Sequence, residues 1–125
     1  MKKFYICERC GNFVAFIENK GPSLTCCGQP MTGLVPNTVD ASGEKHLPEA
    51  TLSGDNLRVQ VGSVLHPMTE EHYIQFIYVE TEHGGQRKCL KPGDEPIAEF
   101  SFVGDKPVAV YEYCNLHGLW KTEIK

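Results

Sequence analysis

The sequence Tyr73-Ile74-Gln75-Phe76-Ile77-Tyr78-Val79 is rich in β-branched and aromatic residues, which are typical of a β-strand. Residues 57–61, Leu-Arg-Val-Gln-Val, alternate apolar and polar side chains, and this period of two predicts a second, half-buried strand. The turn residues His83-Gly84-Gly85 follow residues 73–79 and predict a hairpin into residues 87–90. Together these segments predict an all-β fold.

Further strands are predicted at residues 97–102 and 108–113, each preceded by a turn that contains glycine and proline. Short strands with turns roughly every 8–12 residues are typical of a β-sandwich, which we expect over residues 37–125. A helical turn is predicted only at residues 68–72.

Residues 1–36 are too few to bury a stable core, so a metal, a partner subunit or both must hold this segment. Glycines and prolines divide it into short strands and turns. We therefore expect two domains, 1–36 and 37–125.

The composition is typical of a globular protein, with 41% hydrophobic and 22% charged residues among 125. The net charge of −4 leaves no basic surplus for phosphate contacts, so we expect no nucleic-acid partner. No apolar run approaches the ~20 residues of a membrane helix. Residues 1–7 lack the apolar core of a secretory signal. We therefore expect no membrane association and a cytoplasmic location.

Four of the six cysteines lie near the start of the chain, as Cys7-x2-Cys10 and Cys26-Cys27. In a reducing cytosol this grouping favours a tetrathiolate metal site over disulfides or unlinked thiols. Either zinc or iron accepts four tetrahedral sulfurs. The adjacent pair Cys26-Cys27 constrains one sulfur–metal–sulfur angle, and this distortion favours a redox iron.

A second constellation combines three histidines beside predicted strand ends and a fourth, His46, in a loop with a cysteine that follows the last clear strand. Loops at one end of a sandwich converge, so four imidazoles and one thiolate could meet at a five-coordinate metal site. The candidate ligands are His46, His66, His72, Cys114 and His117.

Two residues of the same types are left outside this constellation. His83 lies at the predicted hairpin tip, where no partner is evident. Cys89 lies within a strand pattern and is interpreted as a small core residue rather than a ligand.

Several motifs, in this order along the whole chain, resemble the desulfoferrodoxin family, the two-iron form of superoxide reductase. The two cysteine pairs Cys7-x2-Cys10 and Cys26-Cys27 look like its desulforedoxin-type iron centre. Three later segments look like its catalytic centre, namely Glu44-Lys45-His46-x-Pro48, His66-Pro67-Met68-x3-His72-Tyr73-Ile74 and Tyr113-Cys114-Asn115-x-His117-Gly118-x-Trp120.

The resemblance implies a desulforedoxin-like domain followed by an immunoglobulin-like β-sandwich, in a homodimer with two iron ions per chain. It implies one iron held by Cys7, Cys10, Cys26 and Cys27. It implies a catalytic iron held equatorially by His46, His66, His72 and His117, with the Cys114 thiolate axial and a sixth position open to substrate.

The activity implied is one-electron reduction of superoxide to hydrogen peroxide without dioxygen release, in oxidative-stress defence, with rubredoxin or a similar protein as electron donor. Glu44 is implied as the carboxylate that occupies the sixth position in the ferric resting state, and Lys45 as a cation near the opening. Two other functions stay open on the residues alone, a non-catalytic electron carrier and a zinc-stabilised binding module.

Overall fold

A computed structural model describes residues 2–125, and the chain divides into two compact units, Met1–Val35 and Pro36–Lys125. The described residues are almost entirely in strands, turns and loops, which confirms the all-β prediction. Within residues 2–125, no helix is long and apolar enough to cross a membrane.

The first unit contains five short strands. A three-stranded antiparallel sheet has the order β2-β1-β5, and β3 and β4 form a separate hairpin. The bounds are β1 Phe4–Ile6, β2 Phe13–Ala15, β3 Thr25–Cys26, β4 Gln29–Pro30 and β5 Thr32–Gly33.

The apolar interior of this unit is small. Phe4 is buried against Phe13, with ring centroids 6.0 Å apart, and Tyr5 meets Phe16 edge-on at 5.2 Å. Cys7 is also buried, so one thiol belongs to the interior itself. With so little apolar surface to bury, the unit depends on its cysteine cluster for further stability.

The second unit consists of one helical turn and two antiparallel sheets, in the orders β10-β7-β6 and β12-β11-β8-β9. Its elements are α1 Gly43–His46, β6 Pro48–Ser53, β7 Asn56–Val61, β8 Ile74–Thr81, β9 Gly84–Cys89, β10 Ile97–Ser101, β11 Pro107–Cys114 and β12 Gly118–Glu123.

The two sheets share one hydrophobic core, as expected for a sandwich. Leu57 and Val59 of β7 are fully buried, and they lie opposite Phe100 and Ala98 of β10. Alternate residues of β7, such as Arg58, are exposed. The other sheet contributes its own buried residues to the same core, namely Ile74, Ile77, Val79, Val110 and Cys114.

A register shift re-aims the end of β11. Tyr113 pairs with Phe76, whereas the next residue, Cys114, pairs with Ile74, so Gln75 is an extra residue in β8. Such bulges bend a strand and redirect its side chains. Here the irregularity lies at Cys114, the last residue of β11.

The helical turn predicted at residues 68–72 is wrong. Thr69 and His72 exchange two backbone hydrogen bonds of 2.9 and 3.2 Å, and the His72 amide also donates to the Thr69 hydroxyl at 3.2 Å. A threonine side chain that bonds its neighbours' backbone competes with helix formation. The helical turn of the described chain is α1 instead.

The interpretation of Cys89 as a core residue is also wrong. Strand β9 pairs only with β8, and all six of its residues are exposed, Cys89 included. The hairpin before it turns at Glu82 and His83, so that Gly84 and Gly85 lie in the strand.

Replacing Ile77 by alanine tests the shared core, because Ile77 is fully buried between the sheets. We expect the free energy of unfolding of the second unit to fall by about 2–5 kcal/mol, and Ile77→Val to cost about 0.5–1.5 kcal/mol. Denaturant unfolding followed by Trp120 fluorescence measures both values. The exposed control Gln86→Ala should change little, and an Ile77→Ala protein as stable as that control would contradict the assignment.

Candidate metal centres

The first cluster consists of Cys7, Cys10, Cys26 and Cys27, whose sulfurs all lie within 4.8 Å of one another. The Sγ atoms of Cys10 and Cys26 are 3.6 Å apart, and those of Cys26 and Cys27 are 4.0 Å apart. A disulfide requires about 2.05 Å, and all four cysteines are free. The grouping therefore matches a metal site and not disulfides.

Two tight turns bring these sulfurs together. After β1, the Cys7 carbonyl accepts from the Gly11 amide at 2.9 Å, and Gly11 has a φ of +83°. In the β3–β4 hairpin, Cys27 and Gly28 form a two-residue turn with φ of +53° and +75°. Two left-handed residues are what the tightest hairpin turns require. This turn presents the adjacent thiols of Cys26 and Cys27 to the same point.

The thiols of this cluster differ widely in pKa. The backbone amide of Cys10 lowers the pKa of Cys7 to about 6. Hydrogen bonding among the crowded thiols, with Cys10 first, raises the pKa of Cys27 to about 12. One thiolate therefore forms readily and its neighbours resist ionisation, because like charges would be adjacent. A bound cation removes this conflict, and a four-thiolate donor set suits tetrahedral iron or zinc.

The second cluster lies at one end of the sandwich, where four imidazoles form a square. Neighbouring ring centroids are 4.6–5.0 Å apart, with interplanar angles of 76–88°, in the cyclic order His46, His66, His72 and His117. The rings of His46 and His72, across the diagonal, are 6.3 Å apart. The Cys114 sulfur is 3.9 Å from His117 Nδ1.

Each of these five residues comes from a different position at the same end of the strands. His46 ends α1, His66 follows β7, and His72 precedes β8. Cys114 is the last residue of β11, and His117 lies in the turn into β12. Antiparallel pairing of β11 with β8 and β12 brings these termini together.

Backbone carbonyls fix the tautomers of two rings. His46 Nδ1 lies 2.7 Å from the Ser42 carbonyl, and His66 Nδ1 lies 2.6 Å from the Pro67 carbonyl. A carbonyl only accepts, so each Nδ1 carries the proton and each Nε2 keeps a bare lone pair. These two Nε2 atoms are nevertheless 3.2 Å apart.

His46 Nε2 also lies 3.1 Å from His117 Nδ1, so ring nitrogens of three histidines converge at this point. Burial lowers the pKa of His66 to about 4 and also lowers the pKa of His46 and His72, so these three rings are neutral near pH 7. His72 Nε2 is buried without a hydrogen-bond partner. The donor set therefore fits a metal cation, which accepts all the lone pairs at once.

Cys114 is fully buried, and burial raises the pKa of its thiol. The backbone amides of Leu116 and His117 donate to its sulfur and act in the opposite direction. A coordinating cation deprotonates a thiol outright. Cys114 is thus positioned to supply the one anionic donor among neutral imidazoles.

Comparison with known proteins agrees with both clusters. The desulfoferrodoxin N-terminal domain model matches residues 1–34, and the desulfoferrodoxin model matches residues 38–123. A desulfoferrodoxin from Syntrophotalea carbinolica is 48% identical over 95% of this chain and 94% of its own length.

The chain belongs to the desulfoferrodoxin family.

Superoxide reductases are also similar to it. The crystal structure of the superoxide reductase from Treponema pallidum has a TM-score of 0.82 at 33% identity and covers 98% of this chain and 100% of that one. A superoxide reductase from Pyrococcus horikoshii is 38% identical over 69% of this chain and 90% of its own length. Family membership and the two donor clusters together support two iron centres per chain.

Glu44 and Lys45 lie on α1 immediately before His46, and both side chains are exposed. The Lys45 charge contributes to the lowered pKa of His72, after burial and the neighbouring His117 imidazole, so its field reaches the cluster. The Glu44 backbone carbonyl accepts from the Val64 amide at 3.1 Å, which ties α1 to the loop before His66. The Glu44 carboxylate is not among the clustered donor atoms.

Sequence reasoning gave no role to two residues that hold the ligand segments. Trp120 is buried, stacks on His46 at 5.1 Å and donates from Nε1 to the His117 carbonyl at 3.1 Å. Asn115 accepts from the Tyr73 amide at 2.9 Å and donates to the Glu71 carbonyl at 3.0 Å, on either side of His72. Both residues lie within three positions of Cys114 or His117, and this closeness in sequence could have indicated their supporting role.

Two other polar groups stand apart from the square. His83 pairs with Asp105 at 3.1 Å beside the β8–β9 turn, and its side chain is 74% exposed. Glu112 is fully buried in β11, neither of its carboxyl oxygens has a hydrogen-bond partner, and burial raises its pKa.

Gly62 lets α1 approach the end of β7, because a Cβ at this position would overlap the Glu44 carbonyl. We expect Gly62→Ala to displace α1 with His46 and to weaken metal binding at the histidine–cysteine cluster by about tenfold or more. Binding at the cysteine cluster should be unchanged, and competitive iron or cobalt titration with optical detection separates the two centres.

Gly84→Ala is the matched control, since a Cβ there meets nothing within 4 Å. A Gly62→Ala protein that binds metal at the histidine–cysteine cluster as tightly as Gly84→Ala would show that the close approach of α1 is unimportant.

Proposed function

We propose that this chain is an iron-dependent superoxide reductase, which combines superoxide, one electron and two protons to give hydrogen peroxide without releasing dioxygen. The observation that carries the proposal is the square of four imidazoles beside the Cys114 sulfur. The superoxide reductases among its relatives support the same reaction.

Five residues would hold the catalytic iron, with neutral nitrogens from four imidazoles and one thiolate, namely His46, His66, His72, His117 and Cys114. When bound in the ferrous form, the iron supplies the electron and offers a position for the superoxide anion. Four neutral nitrogens and one thiolate leave a ferrous site with a charge of about +1, which attracts an anion although the whole chain is negative.

Residues around the cluster control access and charge. His46, His66 and Cys114 are buried, whereas His72 and His117 are partly exposed, so substrate and the two protons reach the site from the side of His72 and His117. The Lys45 ammonium draws the anion toward this opening. The exposed Glu44 carboxylate, two residues before His46, would compete with the product anion for the bound iron and so promote release of product.

The remaining assignments belong to the same proposal. Residues 1–36 form a domain with a tetrathiolate iron at Cys7, Cys10, Cys26 and Cys27, which has no open position and serves electron transfer or stability. Residues 37–125 form the catalytic domain. The chain acts as a cytoplasmic homodimer in defence against oxidative stress, and a rubredoxin-like protein supplies its electrons.

Pulse-generated superoxide with iron quantitation tests the reaction and the axial ligand together. The ferrous wild-type protein should hold two irons and yield one peroxide per superoxide consumed, without dioxygen. Cys114→Ser should abolish the thiolate-to-ferric absorption band and slow the reaction by at least about 10²-fold, while the tetrathiolate bands persist. The exposed control Cys89→Ser should behave as wild type. Dioxygen release, or full activity of Cys114→Ser, would contradict the proposal.

Removing the Lys45 charge tests electrostatic attraction of the substrate. We expect Lys45→Ala to lower the second-order rate by about fivefold at low salt, as for one unit charge worth ~1 kcal/mol in water, and by less at high salt. Lys106→Ala removes an exposed lysine before β11, at the strand end opposite Cys114, and serves as control. Equal rates for the two variants at every salt concentration would show that Lys45 does not attract the substrate.

A further inference from the structure

Asn12 makes contact with three of the four clustered cysteines. Its carbonyl accepts from the Cys7 amide at 2.8 Å, and its own amide donates to the Cys10 sulfur at 3.5 Å. Its side-chain Nδ2 lies 3.6 Å from the Cys26 sulfur. The first two contacts use the backbone and survive substitution, so the third is the contribution specific to asparagine.

The amide group is the part of Asn12 that suits a thiolate. A thiolate accepts hydrogen bonds and cannot donate, so the NH2 end of the side chain and not its carbonyl oxygen must face Cys26.

Hydrogen bonds to cluster sulfurs are one of the means by which proteins set the potential of iron–thiolate centres. Four thiolates give a charge of about −1 with ferric and −2 with ferrous iron, so a donor stabilises the ferrous state more. We propose that the Asn12 side chain donates to the Cys26 thiolate and raises the reduction potential of the tetrathiolate iron. This inference rests on the proposed presence of iron at that centre.

Asn12 thereby acts as a positioning and tuning residue for electron transfer, and it takes no part in the reaction of superoxide. Its side chain is exposed, so its replacement removes a hydrogen bond without opening a cavity in the interior. The effect should therefore be confined to the first centre.

Potentiometric titration of the full-length, two-iron protein, followed by the tetrathiolate absorption, tests the proposal. Asn12→Leu removes the donor at similar volume and should favour the ferric state about fivefold, which is a downward shift of ~40 mV at 59 mV per tenfold for one electron. Asn12→Asp, which adds a negative charge instead of a donor, should shift the midpoint further down.

Two internal standards accompany each titration. Asn19→Ala removes an asparagine of the same unit that bonds the Lys2 carbonyl and the Tyr5 hydroxyl and touches no sulfur, so its midpoint should equal that of the wild type. The midpoint of the histidine–cysteine iron should be the same in every variant.

Midpoints of the first centre that are equal in wild type, Asn12→Leu and Asn12→Asp would overturn the inference. A wild-type protein without ferric tetrathiolate bands would instead contradict the proposed iron centre, and the inference with it.

Discussion

Unprotonated nitrogens that face one another at the end of the β-sandwich are the constraint on which the catalytic unit depends. His46 and His66 each give their one proton to a backbone carbonyl, and their bare Nε2 atoms then meet at 3.2 Å. Burial keeps these rings neutral. A metal cation accepts the lone pairs of these nitrogens at once, so the arrangement of donors favours metal binding.

The sandwich holds these donor residues in fixed positions. Its core, shared by both sheets, fixes the ends of β7, β8 and β11, and the irregular pairing at Cys114 turns a strand end toward the imidazoles. Trp120 and Asn115 then tie His46, His72 and His117 to the same turn. The first unit has few buried side chains, and one of them, Cys7, belongs both to its interior and to its cysteine cluster.

Local patterns in the sequence predicted β7 to β11, but they did not predict β6 or β12. Alternation at residues 57–61 indicates a half-buried strand, and paired cysteines indicate a candidate metal site. The failures depend on contacts distant in sequence. Cys89 is exposed because β9 is an edge strand, which alternation within one segment cannot reveal. Helix α1 spans only Gly43–His46, too short for a helical period, and Thr69 closes a loop where a helical turn was expected. The positions of the carbonyls that fix the imidazole tautomers also depend on backbone geometry, which the sequence pattern does not reveal.

Iron-edge anomalous diffraction from crystals of the two-iron protein tests the central claim most directly. We expect one anomalous peak enclosed by the four sulfurs of the first unit. We expect a second peak at about 2.0–2.4 Å from the ring nitrogens of His46, His66, His72 and His117 and from the Cys114 sulfur. A second iron bound elsewhere, or bound with one of these five donors turned away, would contradict it.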